Sequence, residues 1–235
     1  MTTHAGGGLS VTVILPCLNE ASSVAACIEE ARRGLEKAGL DGEVLVIDNG
    51  SVDGSARLAG DAGARVVGEP IPGYGAALRR GIDEAHGSMV VMADADGTYD
   101  LSRLGELTAP ILNDEADLVL GARLNGTNRR TMPLLHRFIG TPILSLLVRR
   151  ACGGLEVRDS QSGYRAIDTN KARMLDLKTP GMEFASEMLI RSSQEGMRVR
   201  EEPMGYRPRV GSSKLNTVRD GWRHLQLIFL LAPHL

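Results

Sequence analysis

The sequence is poor in aromatic residues and cysteine. Aromatic side chains make up 3% of the 235 residues and are not interleaved with any basic stretch, so we expect no nucleic-acid binding by base stacking. The three cysteines, Cys17, Cys27 and Cys152, form neither an even disulfide set nor a metal-binding spacing, which favours a reducing compartment. The first residues lack the charged and apolar regions of a secretory signal.

Long apolar runs are also missing, since none reaches the ~18 residues that cross a bilayer. Two shorter runs are present. Phe138–Val148 is flanked by Arg137, Arg149 and Arg150, which is typical of an interfacial helix, although core packing is the alternative. Leu225–Leu235 is apolar throughout most of its length and predicts either a terminal helix packed on the core or the start of a membrane segment.

Charge is distributed unevenly along the chain. Residues 1–122 hold 8 Lys and Arg against 19 Asp and Glu, a net charge of −11, whereas residues 123–235 hold 19 against 10, a net charge of +9. An acidic half suits a bound cation, and a basic half suits phosphate groups or an anionic membrane surface. The alternative is an uneven scatter of surface charge without functional meaning.

Strand and helix patterns alternate through the first half of the chain, whose composition of 43% hydrophobic and 24% charged residues is ordinary for a globular domain. Short β-rich runs predict strands at Val11–Leu15, Glu43–Ile47, Ala64–Val67, Ser88–Ala93 and Asp117–Gly121. Amphipathic runs predict helices at Ala21–Lys37, Val52–Asp61, Gly75–His86 and Leu101–Leu112. This alternation predicts an α/β fold with a Rossmann-like, doubly wound, mostly parallel sheet that binds ligands at the carboxyl ends of its strands.

The second half is less regular. The polar segment Leu124–Pro133 predicts a surface loop that could bind a ligand. Beyond it we expect helices at Phe138–Val148, Lys171–Leu177, Phe184–Glu195 and from Asn216, and strands at Tyr164–Ile167 and Arg198–Tyr206.

Two aspartates, Asp94 and Asp96, directly follow the predicted strand Ser88–Ala93; we call them the acidic pair. A strand that delivers two carboxylates to the edge of a sheet makes a hard-oxygen site. Mg²⁺ or Mn²⁺ is normally held by one or two carboxylates together with substrate phosphates. The alternative is a solvated turn, since Asp and the following Gly97 are common turn residues.

Polar residues close two other predicted strands. Pro16–Glu20 follows the first strand and Asp48–Ser51 the second. In a parallel sheet these ends share one edge with the acidic pair, which favours the metal interpretation. Asp48 suits a base or a ribose hydroxyl, while helix capping is the alternative for Asn19 and Asp53.

Short motifs stand in order along both halves of the chain. The first half has Pro16-x-x-Asn19-Glu20, Asp48-Asn49-Gly50-Ser51-x-Asp53-Gly54, Gly73-x-Gly75-x-Ala77 and Asp94-x-Asp96. The second half has Gly121-Ala122-Arg123, His136-Arg137, Asp159-Ser160-Gln161-Ser162-Gly163-Tyr164-Arg165, Gly181-Met182-Glu183-Phe184, Ser212-Ser213-Lys214-Leu215 and Arg219-Asp220-Gly221-Trp222. In this combination the chain resembles the family 2 glycosyltransferases with the GT-A fold, in the polyprenyl-phosphate branch related to dolichyl-phosphate mannose and glucose synthases.

The resemblance implies transfer of a hexose from UDP-glucose or GDP-mannose to a polyprenyl or dolichyl phosphate, with inversion, by a protein at the cytoplasmic face of a membrane. It implies Mg²⁺ or Mn²⁺ held by Asp94 and Asp96. The residues implied in nucleotide binding are Pro16, Asn19, Glu20, Asp48, Gly50, Ser51, Gly75 and Asp94. Those implied at donor or acceptor phosphates are Arg123, Arg137, Arg209, Ser213 and Lys214. The implied catalytic set is Asp94, Asp96, Arg123, Arg137 and Lys214.

We therefore expect one catalytic domain over residues 1–235. Its nucleotide-sugar and metal half spans 10–122 and its acceptor half 123–224, and the apolar segment 225–235 could be a membrane-proximal helix. The membrane contact would be peripheral or made by segments outside this chain. Asn49, where many relatives have a second Asp, and Thr98-Tyr99, where mannose synthases often have Gln, leave the nucleobase and the sugar open.

Acceptor chemistry supports the phosphate assignment independently. A hydroxyl acceptor needs a general base at neutral pH, whereas a phosphate monoester, with a second pKa near ~6, is already mostly a dianion. Such an acceptor needs cations to hold it beside the donor. Asp159, Glu183 and Glu187 remain candidate bases or orienting residues, with ion pairing to neighbouring arginines as the alternative.

Other interpretations compete for the same residues. Asp94–Thr98 also matches the first motif of haloacid-dehalogenase-like phosphatases, in which Asp94 would be the nucleophile, but that motif normally stands on the opening strand. Gly73-Tyr74-Gly75 is a weak dinucleotide signal because the third Gly is missing. The non-enzymatic alternative is a catalytically inactive scaffold at a membrane surface.

Overall fold

Seven β-strands form one sheet in the computed structural model, which describes residues 11–123, 141–211 and 217–232. The strands are β1 (Val11–Cys17), β2 (Gly42–Asp48), β3 (Arg65–Gly68), β4 (Met89–Met92), β5 (Leu118–Ala122), β6 (Arg165–Asp168) and β7 (Val199–Pro203). Their order is β3-β2-β1-β4-β6-β5-β7. Among these strands β6 runs antiparallel to both neighbours and the other pairs are parallel. The predicted doubly wound, mostly parallel α/β sheet is confirmed.

Helices cover both faces of the sheet. They are α1 (Val24–Ala38), α2 (Ser55–Asp61), α3 (Tyr74–Glu84), α4 (Leu104–Leu112), α5 (Thr141–Ala151), α6 (Thr169–Met174), α7 (Phe184–Gln194) and α8 (Thr217–Leu231). One hydrophobic core lies under α1, α2 and α4, and the other under α3, α5, α6, α7 and α8. The helices thus divide between the two faces, as expected when crossover connections alternate in a doubly wound sheet.

Alternation of side chains along the strands builds these two cores. In β1, Val13 and Leu15 face the first core and Ile14 faces the second, and in β4 Val91 and Val90 divide in the same way. Successive side chains of a strand point to opposite faces, so a strand between two helical layers must be apolar throughout. This is why the central strands read as continuous apolar runs.

Several element boundaries differ from the predicted ones. β1 continues beyond Leu15 because Pro16 and Cys17 remain paired with Ile47 and Asp48 of β2. The predicted helices from Ala21 and Val52 begin later, at α1 and α2, since the residues before them form loops. The predicted strand to Tyr206 ends with β7, and Tyr206 forms an isolated antiparallel bridge with Tyr99 instead.

The position of β6 is the topological feature that shapes the site. Because β6 runs antiparallel, its first residue, Arg165, lies opposite Met92 near the end of β4 and opposite Leu120 of β5. The loop that precedes β6, residues 159–163, therefore lies at the edge where β4 and β5 end. The sequence predicted this strand but not its place in the sheet.

Predicted features that lie wholly or partly outside the described residues are the loop Leu124–Pro133, the start of the helix Phe138–Val148, the start of the helix from Asn216 and the end of the apolar segment Leu225–Leu235. The helix Phe138–Val148 is described from Thr141 and continues to Ala151. None of the described helices combines the length and apolar character needed to cross a bilayer.

Candidate active site

The carboxyl ends of β1, β2 and β4 lie side by side, at what we call the site edge of the sheet. Cys17 is paired with Asp48, and Ile14 with Met92. Ala93 extends the β4 ladder by donating its N–H to the carbonyl of Ile14 at 3.1 Å. Asp48 and the acidic pair, which are distant in sequence, therefore reach the same edge.

The loops that follow β1 and β2 are joined by hydrogen bonds. The Asn19 N–H donates to Ser51 Oγ at 2.9 Å, and the Val52 N–H donates to Asn19 Oδ1 at 2.8 Å. The Glu20 N–H donates to Ser55 Oγ at 2.8 Å. These bonds satisfy backbone groups that no helix or strand uses. They hold the two loops as one platform at the site edge.

Helix capping does not account for Asn19, because the N-cap of α1 is Ser23. Asp53 does act at the start of a helix, since its Oδ1 accepts the N–H of Ser55, the first residue of α2, at 3.0 Å. Its Oδ2 also accepts the N–H of Ala21 at 3.0 Å, a second link between the same two loops. Both side chains therefore join the loops.

The other residues predicted to bind the nucleotide lie at or near this platform. Pro16 is within β1, and the half-buried Asp48 accepts the N–H of Ser51 at 3.3 Å on each carboxylate oxygen. Gly50 lies in the same turn. Gly75 is buried in the first turn of α3, where a Cβ would lie 2.4 Å from the carbonyl oxygen of Thr179, so its close packing requires glycine. Nucleotide binding by these residues stays a prediction.

Asp94 is oriented by a tyrosine and a glycine. The Tyr74 hydroxyl donates to Asp94 Oδ1 at 2.9 Å. A Cβ on Gly163 would lie 2.6 Å from that hydroxyl and 3.1 Å from Asp94 Oδ1, so the loop before β6 approaches closely enough to exclude a side chain. Burial, together with the negative charge of Asp96, raises the pKa of Asp94 to about 6.

Asp96 is buried and contacts an arginine. Its Oδ1 accepts the N–H of Thr98 at 3.0 Å and the Thr98 hydroxyl at 2.6 Å. Its Oδ2 lies 3.1 Å from Nη1 of Arg209, whose Nη2 contacts Glu20. Two predicted site carboxylates thus share one predicted phosphate-binding cation.

Arg123 follows β5 and is held by Asp159. Its Nε and Nη2 donate to the two carboxylate oxygens of Asp159 at 2.8 and 2.7 Å, and its backbone N–H donates to Oδ2 at 2.9 Å. Its guanidinium also lies 5.5 Å from the ring centre of Tyr206, within range of a cation–π contact. Burial favours protonation of Asp159, but Arg123 outweighs it and lowers the pKa of this carboxyl.

The three candidate bases all contact arginines. Asp159 pairs with Arg123 as described, and Glu187 pairs with Arg191 at 3.0 Å while accepting the N–H of Thr179 at 2.8 Å. Glu183 lies 3.8 Å from Arg223. The ion-pair interpretation of these carboxylates agrees with the structure.

Three predicted phosphate-binding residues, Arg137, Ser213 and Lys214, lie outside the described residues. Their roles stay predictions, and so do those of Arg123 and Arg209 as phosphate ligands.

Sequence reasoning missed Tyr74, Gly163 and Arg165 as parts of this site. Tyr74 stands between two glycines of a motif, and the sequence does not reveal a role for its hydroxyl. Gly163 and Arg165 belong to one of the motifs that carry the family resemblance, but the sequence assigns them no physical role. The available signal was the order Ser162-Gly163-Tyr164-Arg165 before a short strand, which becomes informative once β6 is placed beside β4.

The acidic pair suits a divalent ion but does not by itself form a full cage. Within the ranges that the structure describes, no three His, Cys, Asp or Glu side chains are grouped to hold a metal. Two hard oxygen ligands, with the pKa of Asp94 raised by burial and by the charge of Asp96, match an ion that completes its coordination with substrate phosphates and water.

Comparison with known proteins identifies the family. Residues 12–175 match Glycosyl transferase family 2, and the chain therefore belongs to this family. The low-salt glycan biosynthesis hexosyltransferase Agl6 of Haloferax volcanii is 35% identical over 225 residues, which are 95% of this chain and 54% of that protein. The chain thus spans about half the length of this relative. The dolichyl-phosphate hexose transferase of the same organism is 29% identical over 90% of this chain and 89% of its own length.

Solved structures show the same fold. Glucosyl-3-phosphoglycerate synthase from Mycobacterium tuberculosis, in complex with Mn²⁺, UDP and phosphoglyceric acid, matches with a TM-score of 0.74 over 95% of this chain and 78% of that one, at 22% identity. The GT-A architecture is therefore confirmed. Membership of glycosyltransferase family 2 gives no support to the phosphatase alternative for Asp94.

Proposed function

We propose that this glycosyltransferase moves a hexose from a nucleotide diphosphate sugar, UDP-glucose or GDP-mannose, to the phosphate of a membrane polyprenol. The observation that carries the proposal is the contact between Arg209 and Asp96 of the acidic pair at the site edge, next to the platform formed by the loops after β1 and β2. Carboxylates for an ion and a guanidinium for phosphates are what a diphosphate donor requires. The name of the dolichyl-phosphate hexose transferase relative supports the acceptor.

Asp94 and Asp96 would hold Mg²⁺ or Mn²⁺, which when bound offsets the charge that develops on the leaving diphosphate. The Tyr74 hydroxyl fixes one carboxylate, and the N–H and hydroxyl of Thr98 fix the other. Both are thereby oriented before the donor arrives, which lowers the cost of reorganisation during the reaction.

In the proposed reaction an acceptor phosphate oxygen forms a bond to the anomeric carbon. The bond from that carbon to the donor diphosphate breaks, and its electron pair leaves with the nucleoside diphosphate, with inversion. Two anions must be held close together, so Arg123 and Arg209 are assigned to phosphate groups, with Arg137, Ser213 and Lys214 assigned by the family resemblance. Because a phosphate acceptor is already deprotonated, pairing of Asp159, Glu183 and Glu187 with arginines agrees with a reaction that uses no carboxylate base.

The apolar surface of two packed helices supports a lipid acceptor. Helices α5 and α8 contact each other. Large apolar side chains on them that are between 52% and 75% exposed are Ile143, Leu146, Trp222, Phe229 and Leu230. Arg149 and Arg150 are exposed in the last turn of α5. Apolar side chains with an aromatic anchor and neighbouring cations suit the interface of an anionic bilayer.

The test is transfer of radiolabelled sugar by the full chain to polyprenyl phosphate in anionic vesicles, with UDP-glucose and GDP-mannose in separate reactions. We expect label in the lipid fraction with one donor, and loss of it with EDTA or Asp96→Ala. Asp61→Ala, at an exposed residue of α2 that pairs with Arg57 on the surface, is the matched control and should stay active. Label transferred only to a water-soluble phosphate monoester would overturn the lipid acceptor, and full activity of Asp96→Ala in EDTA would overturn the metal role.

A further inference from the structure

Arg165, the first residue of β6, is a buried cation that is hydrogen-bonded to backbone carbonyls. Its side chain is among the largest fully buried ones and the residue is 2% exposed. No ion pair to it is found within the described part of the chain. Burial lowers the pKa of Arg165 to about 10, so the guanidinium stays protonated at neutral pH. A buried charge is costly unless its hydrogen bonds are satisfied. The hydrogen bonds of Arg165 must therefore offset this cost.

All three guanidinium nitrogens donate to backbone carbonyls. Nε donates to Ser162, Nη2 to Ser160 and Nη1 to Ala185, each at 2.8 Å. Two of these carbonyls belong to the loop 159–163 and the third to the first turn of α7. Arg165 therefore fastens this loop to α7 from inside the protein.

Both ends of the fastened loop meet the site. At one end Asp159 holds the guanidinium of Arg123 through two side-chain bonds. At the other end Gly163 lies against Asp94, where a Cβ would be 3.1 and 3.4 Å from the two carboxylate oxygens. The Gly163 N–H also donates to the Tyr99 hydroxyl at 2.8 Å. A shift of the loop would displace a phosphate-binding cation and a metal-binding carboxylate together.

We propose that Arg165 is a positioning residue for the transfer reaction, acting through the loop 159–163 on Arg123 and Asp94. The inference rests on the proposed function, which assigns Arg123 to phosphate binding and Asp94 to metal binding. Lysine would keep the positive charge but has one nitrogen on a flexible stem, whereas the fork of arginine reaches three carbonyls in fixed directions. Loop geometry, rather than charge, is what the arginine supplies.

The test compares Arg165→Lys with Arg65→Lys. Arg65 is also the first residue of a strand, and it donates to Glu43 at 2.8 Å and to the carbonyl of Glu84 at 2.7 Å. It lies at the start of β3, at the end of the sheet opposite the site edge. Each variant is scored per folded molecule, with the folded fraction taken from thermal unfolding. The readouts are Mn²⁺ affinity by electron paramagnetic resonance without donor, and kcat and KM with donor and acceptor.

For Arg165→Lys we expect Mn²⁺ affinity to fall roughly tenfold and kcat to fall by roughly 10–100-fold, the range for residues that orient metal ligands. Arg65→Lys should change neither quantity. A purely structural role would reduce the folded fraction and leave both per-molecule values unchanged, which would overturn the proposal, as would an equal loss in both variants.

Gly163→Ala tests the same coupling between the loop 159–163 and Asp94 while Arg165 stays unchanged. Its methyl group would press on the Tyr74 hydroxyl at 2.6 Å, so we expect the same fall in Mn²⁺ affinity. Unchanged Mn²⁺ binding in this variant would contradict the coupling, even if Arg165→Lys failed to fold. If the wild-type chain transfers no sugar to any lipid phosphate, the proposed function fails, whereas the Mn²⁺ comparison still decides whether Arg165 positions Asp94.

Discussion

Arg209 lies 3.1 Å from Oδ2 of Asp96, through its Nη1 atom. Its Nη2 contacts Glu20, so one guanidinium bridges the loop after β1 and the acidic pair. Asp96 is also a ligand in the proposed metal site. The guanidinium and a divalent ion are both positive and would compete for this carboxylate, and a donor diphosphate would attract Arg209 away from it.

Removing this competition should strengthen metal binding and weaken donor binding. We expect Arg209→Met to bind Mn²⁺ without nucleotide more tightly than the wild type, by up to roughly tenfold, while its affinity for the nucleoside diphosphate falls by a similar factor. Electron paramagnetic resonance and calorimetry measure the two affinities. The control is Arg207→Met, since Arg207 pairs with Glu30 and Asp100 instead. Weaker Mn²⁺ binding by Arg209→Met would show that the arginine supports the metal site rather than competing with the ion.

Two tyrosines whose rings pack at a tilt should respond differently to loss of the hydroxyl. The rings of Tyr99 and Tyr164 are 5.2 Å apart. The Tyr99 hydroxyl accepts the Gly163 N–H at 2.8 Å, whereas the buried Tyr164 hydroxyl has no hydrogen-bond partner among the residues that the structure describes. We expect Tyr99→Phe to lower the free energy of unfolding by about 1–2 kcal/mol, and Tyr164→Phe to leave it unchanged or raise it. Urea denaturation of both variants checks this, and a larger loss for Tyr164→Phe would contradict it.

Asn49 explains one departure from the family pattern. Its Nδ2 donates to the carbonyls of Glu69 and Ile71 at 2.9 and 2.8 Å, and its Oδ1 accepts the Gly73 N–H at 2.7 Å. It thus shapes the segment that leads into α3. In Asn49→Asp a carboxylate oxygen would face two carbonyl oxygens.

We expect Asn49→Asp to lose about 1 kcal/mol of the free energy of unfolding, because the partly buried carbonyl of Glu69 and the exposed carbonyl of Ile71 lose their donor. The matched control is Asn170→Asp, at an exposed position in the first turn of α6, where an added negative charge is tolerated. Equal stabilities of the two variants in chemical denaturation would refute the role of Asn49.

His224 predicts how stability depends on pH. It is buried on α8 and its Nδ1 is 2.8 Å from Ser186 Oγ. Burial lowers the pKa of His224 from 6.5 to about 4, with Asp220 acting in the opposite direction and Arg165 in the same direction. Between these values the unfolded chain binds the proton and the folded chain does not. The histidine therefore reduces the free energy of unfolding as pH falls from about 6.5 to about 4, by at most about 3 kcal/mol.

Comparison with His224→Asn isolates this contribution. Asp94 has the opposite sign in the same range, because its folded pKa of about 6 lies above the usual value, and both proteins share that effect. We expect the wild type to lose more stability than the variant between pH 7 and pH 4.5, measured by denaturation at each pH. Parallel stability curves would show that His224 titrates normally.

Much of the fold followed from local pattern. The apolar runs of β1, β2 and β4 and the amphipathic helices between them predict an α/β sheet, because side-chain period and turn chemistry are properties of neighbouring residues. The observed helix boundaries differ from the predicted ones where residues predicted as helix belong to loops, as at Ala21–Ser23. Hydrogen bonds between two loops cannot be predicted from the sequence of either loop alone.

The candidate site, like the fold, could be predicted from the sequence only in part. Asp94 and Asp96 could be predicted from the sequence, since two carboxylates at the end of an apolar strand have few structural uses. The parallel order of the strands then predicts that Asp48 lies at the same edge of the sheet. Two features were decided by the tertiary structure alone. The first is the insertion of β6 between β4 and β5, which brings Arg165 and the loop before it to the acidic pair. The second is the contact of Arg209 with Asp96. The physical reason is that strand neighbours and long-range ion pairs depend on how whole elements pack, and no periodicity along the chain encodes which distant segment will complete the edge of a sheet.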